Sequence, residues 1–153
     1  MAIDWVNAMW AGLIATAVMT ILMYVARAMG MPMDMPRMLG LMFIGPDSSG
    51  LVYVLGLLVH FMMGVVFSIV YALLFNAFDL DPSWRWGALF GAVHGVIAGM
   101  AFGMMPAMHP RMGRGEVLDA PGPFGINYGA MVPVGVITLH VVFGAVVGWV
   151  YGA

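Results

Sequence analysis

Cysteine and lysine are absent from this sequence, and charge of either sign is scarce. The missing cysteine removes disulfides, thiolate metal sites and thiol nucleophiles. Charged residues make up 8% of 153 positions, against about 25% in a soluble domain, which leaves too little polar surface to face water all round. Five arginines against seven carboxylates give a net charge of -2, so the basic footprint of a nucleic-acid-binding protein is missing. Catalytic machinery is equally thin. No phosphate-binding glycine loop with its lysine is present, and the apolar stretches hold no nucleophile, base and orienting group in one cluster. Glu116 and Asp119 stand in a Gly- and Pro-rich link, where solvated charge is the plain explanation. The chain is not expected to be an enzyme.

What the chain has in abundance is apolar length. Hydrophobic residues make up 63%, and the mean hydropathy is +1.02. No charge occurs between Asp4 and Arg27, between Asp47 and Asp79, from Trp86 to Pro106, or from Ala120 to Ala153. Each stretch meets the roughly 20 residues that cross about 30 Å of hydrocarbon, where unpaired backbone groups force a helix. These runs predict an all-α fold, a single membrane domain over 1–153, with spanning helices near 8–29, 51–77, 86–106 and 131–152. The stretch Met1-Ala2-Ile3-Asp4-Trp5 lacks the basic segment of a cleavable signal peptide, so the first span is expected to remain as a helix.

The links alternate in character. Residues 30–50 and 107–130 are long, rich in Pro, Gly and Met, and fall on one membrane face, whereas the short link from Phe78 to Arg85 falls on the other with both termini. Arg27, Arg37, Arg111 and Arg114 lie on the long-link side and only Arg85 opposite. The positive-inside rule then puts the long links in the cytoplasm and both termini outside. Trp5, Trp10, Trp84, Trp86 and Trp149 gather toward the terminal face, as an interfacial belt does.

An internal duplication is the most specific feature. Met31-Pro32-x-x-Met35-Pro36-Arg37-Met38 recurs as Met105-Pro106-x-x-His109-Pro110-Arg111-Met112, and His60-x3-Gly64-x6-Tyr71 recurs as His140-x3-Gly144-x6-Tyr151. The matches keep the same order, which predicts two tandem helical hairpins, about 8–78 and about 85–153. Two helices per copy make the copies parallel, related by a pseudo-two-fold axis along the membrane normal. Spacings of 4 and 11 put each His, Gly and Tyr on one helical stripe. The axis can bring the two stripes together or leave them on outer faces.

Small residues mark packing surfaces. Gly87, Gly91, Gly95, Gly99 and Gly103 recur every fourth residue through the third span, and Gly12, Thr16 and Thr20 share that spacing in the first. Such ridges let helix backbones approach closely in lipid, here against the first helix, against another subunit, or against both. A flat cofactor on the glycine face is the functional alternative to plain packing.

Two constellations carry possible chemistry. His60, His94 and His140 fall within hydrocarbon, where an ionisable group is a functional hypothesis by default. A neutral imidazole is a good axial ligand, so His60 and His140 on facing helices are candidates to clamp a haem, or one of them to hold a (bacterio)chlorophyll magnesium. The bland alternative is hydrogen bonding to a neighbouring helix, to Thr16, Thr20 or Thr138. The second constellation is the Met-rich links, with Met31, Met33, Met35 and Met38 in one and Met105, Met108, His109 and Met112 in or beside the other. Of these, Met31, Met35, Met38, Met108, His109 and Met112 are the candidate ligands, since soft thioethers with an imidazole suit Cu(I). Methionine is also a flexible apolar filler, and an interfacial segment with Met and Leu inward and Asp34 and Arg37 toward water accounts for the same residues.

Phe124-Gly125-x3-Gly129-x3-Pro133, followed by Leu139-His140-x-x-Phe143-Gly144-Ala145-x-x-Gly148-x-x-Tyr151, resembles the C-terminal half of a family of small, uncharacterised four-helix prokaryotic membrane proteins. Met31-Pro32-x-Asp34 and His60-x3-Gly64 are similar to that family's first half, while the basic stretch from Arg111 to Arg114 departs from it. The resemblance implies a multi-pass fold in a prokaryotic cytoplasmic membrane and assigns no activity. With no catalytic set and no ion-relay carboxylates in the spans, the expected role is a non-catalytic accessory or scaffold subunit. It would pack against lipid and other membrane subunits, or copies of itself, in an energy-transducing complex of electron transport or photosynthesis. A haem- or chlorophyll-type binding protein and a Cu(I)-handling protein are the rivals.

Overall fold

The computed structural model describes residues 3–153, so Met1 and Ala2 of the N-terminal stretch read above lie outside the described residues. The elements are α1 (Trp5–Ala28), α2 (Met35–Leu41), α3 (Ser49–Ala77), α4 (Trp84–Phe102), α5 (Met105–Met108), α6 (Pro110–Gly113), a 3-10 helix (Pro123–Tyr128) and α7 (Val132–Tyr151). Among the described residues there is no strand. The four long helices overlap the expected spans to within a few residues at each end. Three of them, α1, α3 and α7, are long and apolar enough to cross a membrane. The fourth, α4, has 19 residues, about 28 Å of helix, and Arg85, His94 and its glycines keep it below that mark of hydropathy.

α1 turns small residues inward, whereas α3 and α7 also bury large ones such as Tyr71, Phe75 and Phe143, and all three expose large apolar side chains. α1 buries Ala8, Ala11, Gly12, Ala15 and Thr16 while Ile14, Ile21 and Val25 are exposed. α3 likewise exposes Leu58, Met62 and Val66. Soluble monomers rarely expose contiguous apolar patches beyond a few hundred Å², whereas lipid solvates such faces without cost. All five tryptophans are exposed and stand toward the end that carries the termini.

Glycine contacts decide how the helices pair. α1 packs against α3 and α7, and α4 packs against α7. At the α1–α3 crossing, a Cβ on Gly12 would lie 2.8 Å from Gly64 O and 2.9 Å from the Ser68 side chain. At the α4–α7 crossing, a Cβ on Gly87 would strike Gly144 O and lie 3.0 Å from Gly148 Cα. One turn toward the termini, Ser68 donates to Ala8 O at 2.7 Å in the first pair, and Gly148 sits against Ser83 O in the second. The contacts correspond residue by residue, at an offset of 75 between α1 and α4 and of 80 between α3 and α7.

The glycine ridge of α4 therefore differs from expectation in its partner. It seats α7 rather than α1, through Gly87, Gly91 and Gly95, while Gly99 receives the Phe124 ring and Gly103, just past the helix end, faces Pro123. Phe124 takes a left-handed backbone (φ 56), a strained state for a bulky residue that delivers its ring into the notch at Gly99. α3 and α4 lack such a backbone contact. They meet through Phe67, Tyr71 and Phe75 against Phe90 and His94, with ring centroids 4.1–6.0 Å apart.

The first long link folds inward. Asp34 caps α2 by accepting from Arg37 N at 3.0 Å, and Pro36 occupies the first turn, where its missing N–H costs nothing. Gly40 and Gly56 then let α2 cross the start of α3, with Gly56 against Pro36 O and Gly40 against Val52 O. Asp34, expected to face water, is 9% exposed, pairs with Arg27 and accepts from Tyr53 Oη at 2.7 Å. The second link clasps the first. His109 Nδ1 accepts from Met112 N at 3.1 Å, capping α6, and His109 Nε2 donates to Met38 O at 3.2 Å. Arg111 donates to Leu41 O at 3.0 Å, satisfying an orphan carbonyl at the C-terminus of α2.

Candidate functional site

A cavity of about 410 Å³ lies beside the aromatic seam that joins α3 to α4, with residues of α1, α2, α5 and α7 completing its wall. Its size lies in the range of roughly 300–1,000 Å³ typical of small-molecule sites. Two components of its wall stand out. Three histidines, His60, His94 and His140, line it. So do eight methionines, a third of its 24 lining residues, although methionine is only 18 of the chain's 153 residues. Met19 and Met23 come from α1 and Met63 from α3. Met33, Met35 and Met42 come from the first link, and Met105 and Met108 from α5.

The three imidazoles are differently engaged. His140 Nδ1 donates to Val136 O, one turn back on its own helix, at 2.7 Å. His94 Nδ1 shares a hydrogen bond of 3.2 Å with the Tyr71 hydroxyl. The His94 and His140 rings meet edge to face with centroids 4.7 Å apart, which leaves no slot for a flat macrocycle between them. His60 is the exception. It is 7% exposed, and its Nε2 has no hydrogen-bond partner. The threonines expected to serve these histidines do not: Thr16 donates to Gly12 O at 2.7 Å, Thr20 to Thr16 O at 2.6 Å, and Thr138 faces outward.

A buried polar atom without a partner costs about 1–3 kcal/mol, and native structures keep few of them, each for a reason. Nothing on the cavity wall beside His60 is charged. The arrangement has no nucleophile and no carboxylate to relay protons. What it can do is hold something apolar or soft, beside imidazoles whose Nε2 atoms have no hydrogen-bond partner in the protein.

The expected soft-metal set divides between two places. Met35 and Met108 line the cavity. Met31 packs into the core and against Gly135 instead, and Met38 and Met112 are buried beside His109. His109 itself is fully buried with both ring nitrogens hydrogen-bonded, so it has no free lone pair for a metal and acts as the clasp between the links. Among the described residues, no group of three or more His, Cys, Asp or Glu side chains is placed to hold a metal ion. Sequence patterning did not single out Met19, Met23 and Met63, dispersed in the long helices, or Met42, which lies beyond the Met31 to Met38 motif.

Tyr71→Phe should lower stability by about 1 kcal/mol, the net value of one hydrogen bond, because the ring contacts to Phe90 and Phe143 survive. Thermal unfolding in detergent reads this, and a loss several times larger would mean that the Tyr71–His94 pair organises the whole seam. A second, more polar hollow lies at the loop end between the two long links, where Arg27, Asp34, Arg37, Glu116 and Asp119 line it. Its ion pairs, Arg27–Asp34 and Arg114–Glu116, are satisfied within the protein.

No curated protein and no solved structure matches the chain. A family model does, over residues 3–153, and its description is a family of unknown function, DUF6789. The chain belongs to that family.

Proposed function

We propose that the chain is a non-catalytic integral membrane protein that binds a ligand inside the bilayer, in the cavity between α3 and α4, with His60 as the anchoring group. The observation that carries this is a buried histidine, His60, that lines the cavity and whose Nε2 has no hydrogen-bond partner. In this reading α4 spans with the other three, and the chain is two tandem parallel hairpins. The correspondence of Gly12–Gly64–Ser68 with Gly87–Gly144–Gly148 supports the duplication. The hairpins join closely along α1–α7, whereas the equivalent α4–α3 side meets only through aromatic side chains, and the cavity lies beside that looser seam. The exposed tryptophans at the terminal end and four of the five arginines at the other support long links in the cytoplasm and termini outside.

The α4 glycines pack within the bundle, while the exposed apolar faces of the long helices remain open to lipid or to other membrane subunits, so an accessory-subunit role is the second reading. A haem clamped between two histidines is disfavoured by the His94–His140 ring contact, while a metallotetrapyrrole held by His60 alone is compatible with the wall.

His60→Leu gives the test. In ligand-free protein it should raise stability by about 1–3 kcal/mol, because it removes an unsatisfied polar atom from an apolar site. Protein drawn gently from its native membrane should carry a ligand, seen by absorption spectrum, elemental analysis or native mass spectrometry, that the variant lacks. A destabilised variant with unchanged bound material would mean that His60 serves the fold alone.

A further inference from the structure

We infer that the cavity is a site for a soft monovalent cation, Cu(I) in chemical class, held by His60 Nε2 and the thioethers around it; this rests on the ligand-binding reading above. Three observations converge. The free group is a buried imidazole nitrogen without a partner, on a residue that is 7% exposed. The surrounding wall is enriched in methionine, at 8 of 24 lining residues against 18 of 153 in the chain, beyond what an apolar filler with abundant Leu, Val and Ile as alternatives explains. No carboxylate or other anionic side chain lines it.

Those facts select the ion. Thioether and neutral imidazole are soft ligands that favour Cu(I) over oxygen-seeking cations. With no anion to neutralise it, a divalent ion would be stranded with its full charge in a low dielectric, and a monovalent one suffers least. The ligands also form a graded route. Met108, 60% exposed, and Met105 on α5, with Met35 on α2, line the cavity from the two long links. Met23 lies about 8 Å and Met19 about 14 Å along α1 from its link end, and His60 about 16 Å along α3, at 1.5 Å per residue. Soft ligands thus line the cavity from an exposed thioether down to a buried imidazole, which is what an ion must find to leave water and reach mid-membrane.

The test uses the full chain in detergent micelles, titrated with Cu(I) in competition with a chromophoric chelator, and with Ag(I) as a redox-inert check. The expected result is one ion per chain, with sulfur and nitrogen neighbours in the X-ray absorption spectrum. His60→Leu should weaken binding by more than the roughly 10–100-fold that loss of an outer-shell partner costs a metal site, and Met19→Leu with Met63→Leu should weaken it comparably. His60→Met, which restores a soft ligand, should bind again, so a folding defect in one variant cannot mimic the result. Met9→Leu, on an exposed position of α1, should bind as the parent does. Absence of binding, or binding indifferent to His60 and to the cavity methionines, overturns the metal assignment. If the protein instead carries an organic ligand that His60→Leu removes, the cavity remains a binding site and only the ion is wrong. If it carries neither, both readings fall.

Discussion

Gly144→Leu and Gly87→Leu are each expected to yield no folded, monodisperse protein. The two glycines face each other where α4 crosses α7, and a Cβ on either would strike the other's carbonyl oxygen. On Gly144 that Cβ would also lie 2.9 Å from both N and Cα of Gly91. Every obstructing atom is backbone, so no side chain can swing aside, and relief requires the helices to separate. Overpacking in a core ordinarily costs about 1–3 kcal/mol, and a whole isobutyl group driven into two backbones belongs above that range. In lipid the loss is compounded, because close backbone approach is itself what holds helices together. Gly45→Ala and Gly50→Ala, where no atom lies within 4 Å of the added Cβ, should be indistinguishable from the parent. Size-exclusion profiles and thermal unfolding of the four variants check this. A folded Gly144→Leu would mean that α4 and α7 do not cross at this point.

Asp34→Ala should cost about 2–4 kcal/mol, an unusual penalty for a loop residue. One carboxylate caps α2, accepts from the Tyr53 hydroxyl and pairs with Arg27. Loss of a helix cap costs about 1 kcal/mol, and a hydrogen bond to a charged group about 1.5–3 kcal/mol. Arg27 is 43% exposed, so the ion pair adds little beyond these, as solvent screens it. Asp34→Asn keeps an acceptor for the cap and for Tyr53 and should recover at least half of the loss. The consequence reaches the cavity, since α2 and its approach supply Met33, Met35 and Leu39 to the wall. Ligand binding should weaken along with stability. Chemical unfolding of both variants in one detergent reads the effect, and an Asp34→Ala protein within 0.5 kcal/mol of the parent would contradict the network.

The long elements were legible because each rests on a local, one-dimensional signal. Uncharged length marks α1, α3, α4 and α7, and the spacing of Gly87 to Gly103 marks a packing ridge before its partner is known. The motif Phe124-Gly125-x3-Gly129 was visible as a pattern, and its physics emerged only in three dimensions. Phe124 and Gly125 take left-handed backbones (φ 56 and 74) to lodge a ring at Gly99. The three histidines were recognisable as polar groups in apolar stretches, yet which of them is buried with an unpartnered nitrogen depends on the rotation of α3 about its axis. The links were read least well. Asp34 and His109 look like solvated or metal-binding residues in sequence, whereas both are helix caps that tie the links to the bundle. A cap is a three-residue relation, and α2 and α6 are too short for periodicity to announce them. Met19, Met23 and Met63 were missed for the opposite reason: in a span, methionine at helical spacing is indistinguishable from any apolar residue until the cavity groups them.

The most direct measurement is an experimental density map of the full chain, purified from its own membrane without added metal or cofactor, at a resolution that shows side chains. The account predicts ordered density in the cavity between α3 and α4, within coordination or hydrogen-bonding distance of His60 Nε2. A cavity closed by α3 packing onto α4, or His60 turned to bond a neighbouring carbonyl with nothing beside it, would contradict it.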